Sequence, residues 1–313
     1  MSHSTRALSL RHFRAIIAIA DAGNLIGAAR ALHLSQPAIT KTLQEAEAMI
    51  GAPIFERTSR GARATIFGEA LIGHGRIILS QLAHAGEEVD DLRDGLGGQV
   101  AIGGLAAAMV ELLPLAIARL RAERPRLSVS LVEATNDRLL PLLRGGELDF
   151  VVGRLSPSGD LDGLAQEALV DDVACVVAGP DHGARSAPRL ALRALMAERW
   201  ILPIAGSTLR APVEAAFRAQ GLDPPRHAIE SVSLLANALL IRDHGYVAFY
   251  PRPLAAREAA MRQVSILPIT LDATAATIGI TTRRGARLSP AAQDAIGCIR
   301  AVARVSGTPP PRP

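Results

Sequence analysis

Residues 24–63 read NLIGAARALHLSQPAITKTLQEAEAMIGAPIFERTSRGAR, and the fold of the N-terminal part turns on them. Asn24 stands as the N-cap of a short helix whose inward face is Leu25, Ala28, Ala29 and Leu32. The connection His33-Leu34 is too short for anything but a turn. Ser35 then caps a further helix, with Pro37 in its first turn, where a missing N–H costs nothing. That helix turns Ile39, Leu43 and Ala46 inward and presents Gln36, Pro37, Thr40, Lys41 and Gln44. Upstream, Ser9 caps a helix to Ala22 with a stripe of Leu10, Phe13, Ile17 and Ala20, closed by Gly23. Downstream, Gly51-Ala52-Pro53 breaks the helix and Ile54-Phe55 forms a short apolar strand. Glu56 to Arg63 is a basic turn that returns into Ala64-Thr65-Ile66.

Two short helices joined by a tight turn form a helix-turn-helix, whose second helix enters the major groove of DNA. The outward face fits that task. Gln36 and Gln44 can bond base edges, Ala38 and Thr40 can touch a thymine methyl, and Lys41 can reach a guanine or a phosphate. Asn24 and Ser35, at the two helix starts, and Pro37 complete this candidate DNA-contacting set. The basic turn makes a two-stranded wing, with Arg57, Arg60 and Arg63 placed for phosphates or a minor groove. Charge supports the same end of the chain. The first 65 residues hold eight basic and four acidic side chains, whereas the remaining 248 hold 26 of each sign. The net charge of +4 therefore sits wholly in the first fifth. Charge alone does not separate DNA from RNA or an anionic membrane.

The segment from Leu8 to Leu71 resembles the N-terminal domain of the LysR-type transcriptional regulators. The motifs that carry the resemblance are AARALHLSQPAI, the pattern L-x-x-x-E-x-x-x-G-x-x-I-F-x-R from Leu43 to Arg57, and T-x-x-G at Thr65 and Gly68. Further along, LLPLAIARLRAERPRLSVSLVEA, LLPLLRGGELDFVVGR and GYVAFYPR resemble the effector domain of the same family. They look closest to the branch sensing sugars or aromatic-acid catabolites. The resemblance implies an α/β protein with three parts. A winged helix-turn-helix occupies 1–65, a linker and dimerisation helix 66–94, and a two-lobed, periplasmic-binding-protein-like domain 95–313. Lobe I is expected at about 99–170 and 266–305 and lobe II at about 171–265.

Residues supporting the middle part can be read directly. Ile66 to Asp94 contains no proline, and Leu71, Ile78, Ala85 and Leu92 recur every seven residues, interleaved with Gly75, Leu82 and Val89. This is the a/d seam of a two-stranded coiled coil, so a homodimer, or a tetramer built of two, is expected. Glycine-rich 95–99 reads as a hinge. Beyond it, strands are expected at 100–103, 128–132, 149–153, 173–177, 247–250 and 276–281, and helices at 110–124, 136–144, 190–197, 211–220, 233–243 and 290–305. Such alternation predicts a mostly parallel sheet with both faces covered.

In folds of that kind a small molecule sits at the carboxyl ends of strands, against helix starts. The candidate effector-binding residues are Ala106, Ala107, Ala108, Thr135, Asn136, Arg154, Ser207, Thr208, Ser231 and Ser233. The loop Gly104 to Ala108 offers backbone donors only, which argues against a simple carboxylic acid there. No phosphate loop, metal-binding pattern or nucleophile elbow is present, so neither an enzyme, a metal nor a cofactor is expected. The expected partners are double-stranded DNA bearing an interrupted palindrome and a small-molecule effector, with RNA polymerase a further candidate and no membrane. A ligand-independent architectural DNA-binding protein is the main alternative, with an exported solute-binding protein or an enzyme behind it. No apolar run of about 18 residues or signal-like N-terminus is seen, which predicts a cytoplasmic protein. Cys175 and Cys298 read as buried free thiols.

Overall fold

The computed structural model describes residues 8–58, 61–94, 98–155 and 162–306. It divides into two compact units, Met1–Leu96 with Arg144–Glu147, and Gly97–Leu143 with Leu148–Pro313. Among the described residues no helix is long and apolar enough to cross a membrane.

The first unit runs α1 (Leu10–Ala22), α2 (Leu25–Ala31), α3 (Gln36–Ile50), β1 (Phe55–Thr58), β2 (Gly61–Ala64) and α4 (Ile66–Asp94). Its helix ends follow local chemistry. The Ser9 N–H donates to His12 Nδ1 at 3.0 Å, Asn24 Oδ1 accepts from the Gly27 N–H at 2.7 Å, and Ser35 Oγ accepts from Ala38 at 3.4 Å. Gly23 and Gly51 end α1 and α3 at φ 67° and 75°, where a side chain would be strained. Ile39, Leu43 and Ala46 of α3 are buried as the periodicity requires, together with Ala28 and Ala29 of α2.

The stripe expected on α1 is displaced. Ala15, Ile16 and Ile19 fill the three-helix core, Leu10 is exposed, and Phe13 and Ile17 turn toward α4. Because α1 packs on two sides, its apolar residues spread round the helix and no single stripe defines its inner face. At Gly75 of α4, a Cβ would come within 2.7 Å of the Phe13 ring and 3.3 Å of Ile17. Leu71 and Gly75, expected in an intermolecular seam, thus pack within their own chain. Further along α4, Ile78, Leu82 and Val89 are exposed by 38, 45 and 63%.

The wing is a two-stranded antiparallel ribbon in which Glu56 faces Arg63 and Arg57 faces Ala62. It is anchored twice. Glu47 Oε1 accepts from the N–H groups of Ile54 (2.8 Å) and Phe55 (3.4 Å), and Thr65 Oγ1 donates to the Pro53 carbonyl at 2.7 Å. Gly68 then passes so near Ile54 that a Cβ would stand 2.2 Å from its carbonyl oxygen.

The second unit holds two five-stranded sheets. One is β4 (Ser128–Glu133), β3 (Gln99–Gly104), β5 (Phe150–Arg154), β12 (Ala276–Arg283) and β6 (Leu164–Asp172), in that spatial order. The other is β11 (Ser265–Ile266), β7 (Ala174–Ala178), β10 (Tyr246–Pro251), β8 (Arg199–Leu202) and β9 (Ile229–Glu230). The helices are α5 (Ala106–Met109), α6 (Leu112–Glu123), α7 (Asn136–Gly145), α8 (Arg210–Ala219), α9 (Leu234–His244), α10 (Arg252–Ala260) and α11 (Pro290–Ser306). The chain crosses between sheets from β6 to β7 and again from β11 to β12, giving two lobes. The first core packs α6 and α11 on its sheet, and the second centres on Trp200, Phe217 and Phe249 with ring centroids 5.3–5.8 Å apart.

Two expectations are corrected here. The sheets are mixed rather than mostly parallel: among the described residues, four pairings are parallel and four antiparallel. Every antiparallel pair includes β7 or β12, the strand by which the chain enters a sheet after crossing from the other. The helix expected over 190–197 is one turn of 3-10 helix, Leu192–Leu195. The N–H groups of Ala194, Met196 and Glu198 donate to the carbonyl three residues back rather than four, and Arg199 already opens β8, so the turn stays 3-10. Of the hinge expected over 95–99, residues 95–97 lie outside the described residues, and Gln99 already belongs to β3.

Candidate nucleic-acid interface and ligand cleft

On α3 the underside is buried and the outer row is open. Gln36, Pro37, Lys41 and Gln44 are exposed, and neither glutamine nor the lysine makes a side-chain bond among the described residues. Thr40 is half-buried and its hydroxyl donates to the Gln36 carbonyl at 3.0 Å. Ser35 is exposed while capping the helix. Asn24 has both polar atoms engaged, Oδ1 as the α2 cap and Nδ2 on the Ala22 carbonyl at 3.0 Å. That arrangement fixes the helix start and leaves Asn24 fewer free atoms for an outside partner.

Among the basic residues, Arg11 is paired with Glu45 and Arg76 with Asp21. Arg14, Arg30, Lys41 and Arg63 are exposed and make no ion pair among the described residues. These free cations are the ones able to release counterions on meeting a polyanion. Arg57 lies in β1, and Arg60 lies outside the described residues. Gly61, at φ 127°, lets the wing touch the end of α1: the Ala62 N–H donates to the Gly23 carbonyl at 2.8 Å. The second strand of the wing is thereby tied to the turn between α1 and α2.

In the second unit the carboxyl ends of β3, β4, β5, β8, β9 and β10 open on a cleft of about 620 Å³, within the usual size for small-molecule sites. Eight of the ten residues expected for a ligand line it: Ala106, Ala107, Thr135, Arg154, Ser207, Thr208, Ser231 and Ser233. Ala108 is instead buried in the first core, and Asn136 opens α7 without reaching the lining. Three of the serines have local duties. Ser233 Oγ caps α9 by accepting from Ala236 at 3.3 Å, Ser231 Oγ accepts from Ser233, and Ser207 Oγ accepts from Leu209. Each keeps its own O–H to donate. The hydroxyls of Thr135 and Thr208 make no bond among the described residues.

Arg154 is wholly buried. Its Nε and Nη2 donate to Asp172 Oδ2 at 3.0 and 2.7 Å, and Nη1 donates to the Thr274 carbonyl at 3.0 Å. Asp172 ends β6 and Thr274 precedes β12, so the guanidinium ties both segments that cross between the lobes. Its charge is met by Asp172 before any ligand arrives.

Sequence reasoning missed Asn237 and Tyr250, which also line the cleft. They are 5% and 1% exposed, and Asn237 Oδ1 and the Tyr250 hydroxyl have no hydrogen-bond partner among the described residues. Asn237 shares the inner face of α9 with Ile241, which packs in the same core as Tyr250. Burial pushes the phenol above its ordinary range, so it remains a donor. Position alone hid them: Asn237 interrupts an otherwise apolar helix face, and that interruption was the available signal. Cys175 and Cys298 are buried, and burial raises both thiols.

A winged helix-turn-helix joined in one chain to a two-lobed binding domain defines the class of DNA-binding regulators with an effector-binding domain. Residues 10–69 match the "Bacterial regulatory helix-turn-helix protein, lysR family", and residues 93–304 match the "LysR substrate binding domain". The chain belongs to the LysR family. It is 35% identical to the HTH-type transcriptional regulator GbpR of Azospirillum brasilense over 295 residues, 94% of this chain and 86% of that one. It is 33% identical to the HTH-type transcriptional regulator GalR of Pseudomonas putida over 293 residues, 93% of this chain and 73% of that one. Among solved structures, the LysR family transcriptional regulator CbnR superposes with a TM-score of 0.67 at 22% identity, over 95% of this chain and 99% of CbnR. Full-length CbnR in complex with its target DNA gives 0.65 at 22% identity, over 94 and 100%.

Proposed function

We propose that this regulator acts as a homodimer, or a pair of dimers, that reads an interrupted palindrome in double-stranded DNA and alters its bend when a small molecule fills the cleft. The observation that carries this reading is the open row Gln36, Pro37, Lys41 and Gln44 on a helix whose underside is buried. In this reading α3 lies in the major groove, Ser35 and Asn24 stand at its approach, and Thr40 offers its methyl to a base. Arg57, Arg60 and Arg63 meet phosphates or the minor groove. The exposed positions Ile78, Leu82 and Val89 support pairing through α4 with a second copy. That pairing presents two reading helices to a two-fold site. The cleft, with Thr135, Ser207, Thr208, Ser231 and Ser233 on its walls, takes an effector of the sugar or aromatic-acid class. A contact with RNA polymerase then belongs to the DNA-bound dimer.

Footprinting of the full-length protein on the intergenic region beside its own gene tests the reading. Two protected half-sites about one helical turn or a multiple apart are expected. Protection of a single half-site by a monomer contradicts it.

A further inference from the structure

Resting on the reading of the cleft as the effector site, we infer that its ligand is a neutral polyhydroxylated molecule, a monosaccharide or cyclitol, held between Asn237 and Tyr250. The alternative within that reading is an aromatic or other carboxylate, and the charge of the cleft decides between them. A carboxylate leaving water needs a buried counter-charge not already engaged, which neutral hydroxyl and amide donors do not supply. Arg154 is the one buried cation in the lining, and Asp172 already accepts from two of its nitrogens. Asp172 Oδ1 is itself buried without a partner, so this corner of the cleft is short of donors. The other charged lining residues, Arg138 and Glu133, are exposed and opposite in sign. Helix starts offer neutral backbone donors rather than a counter-charge: Ser233 takes the Ala236 N–H of α9, and α5 is a single turn with little dipole to add.

What the cleft does hold is two buried polar groups with nothing to bond. A buried donor or acceptor left unpaired is costly, and few survive in a folded chain unless something completes them. The Tyr250 phenol needs an acceptor and Asn237 Oδ1 needs a donor. A hydroxyl group is both at once, and if the amide is turned the other way Asn237 asks for an acceptor that a hydroxyl also supplies. Thr135, Ser207 and Thr208 add hydroxyls on the same lining, suited to further hydroxyls of one ligand. A carboxylate group brings acceptors and charge but no donor for Asn237 Oδ1, so it answers only part of that set.

Titration calorimetry of the full-length protein tests this with D-glucose, D-galactose, L-arabinose and myo-inositol, with the aldonate of each sugar, and with benzoate. Saturable binding of at least one neutral compound is expected, weaker by about tenfold or more for the matching aldonate. Tyr250→Phe and Asn237→Leu should each weaken that binding by about tenfold. The unliganded thermal midpoint should hold or rise, because each change removes an unpaired buried group. A structural role would lower it instead. Binding of benzoate or an aldonate alone, weakened by Ser207→Ala, overturns the neutral class while leaving the cleft as the effector site. A neutral ligand indifferent to both Asn237→Leu and Tyr250→Phe overturns the placement. Binding of neither panel also overturns the inference, and footprinting with cell metabolite extract then judges the cleft reading separately.

Discussion

Gln36 and Arg63 are both exposed polar residues of one surface, yet their proposed tasks predict different measurements. Arg63→Ala removes one phosphate neutralisation, so affinity should fall similarly for all sequences and the salt slope should shrink by about one ion. Gln36→Ala removes a base contact, so preference at one position per half-site should relax by about 1–3 kcal/mol with the salt slope retained. Binding isotherms at several salt concentrations on specific and scrambled duplexes separate the two. In the second unit, Arg154 and Asp172 act as a pair. Either Asp172→Asn or Arg154→Met leaves a buried charge unmatched and should cost about 3–5 kcal/mol of stability. The double substitution Arg154→Met/Asp172→Leu should cost less than either single one, as denaturant melts would reveal. Gly68→Ala forces a methyl against the Ile54 carbonyl and should destabilise the first unit by about 1–3 kcal/mol. The hydroxyls and caps of this chain were legible residue by residue, because Ser and Asn at helix starts act locally. The place of Arg154 in the cleft was legible but its pairing was not, since its partners Asp172 and Thr274 lie 18 and 120 residues away.

At the scale of elements, α3 and the bounds of α4 were read well, whereas the inner face of α1 was not. One face of α3 is buried and its period is clean, whereas α1 is packed by the core on one side and by α4 on another. The two-sided packing also explains why Leu71 and Gly75 satisfy a heptad pattern while serving their own chain. In the proposed dimer, the seam open to a second copy therefore begins at Ile78. Leu82→Glu places a charge in its middle and should shift the protein toward monomer in sedimentation while leaving its secondary structure by circular dichroism unchanged. Retention of the dimer in that variant would remove α4 as the pairing element. Short elements were the least legible. Arg199–Leu202 and Ser265–Ile266 become strands only because neighbours in the sheet receive them, and of 190–197 only Leu192–Leu195 winds, as a 3-10 turn running into β8.

For the molecule as a whole, the motifs at 28–39, 43–57 and 112–154 were enough to point to the family, since they are runs of local chemistry at fixed spacing. The mixed character of the sheets was not visible, because strand direction depends on where the chain crosses between lobes. The functional logic joins two kinds of site. The first unit carries free cations and an open polar helix face, and the second carries a cleft with neutral, unpaired polar groups. The central claim is that α3 reads sequence. Selection of bound duplexes from a randomised library by the full-length wild-type protein, with Gln36→Ala and Gln44→Ala in parallel, measures it most directly. The account predicts two half-sites related by a two-fold axis, with each substitution erasing preference at one position of both halves. A selected pool without such symmetry, or substitutions that scale affinity equally for every sequence, would contradict it.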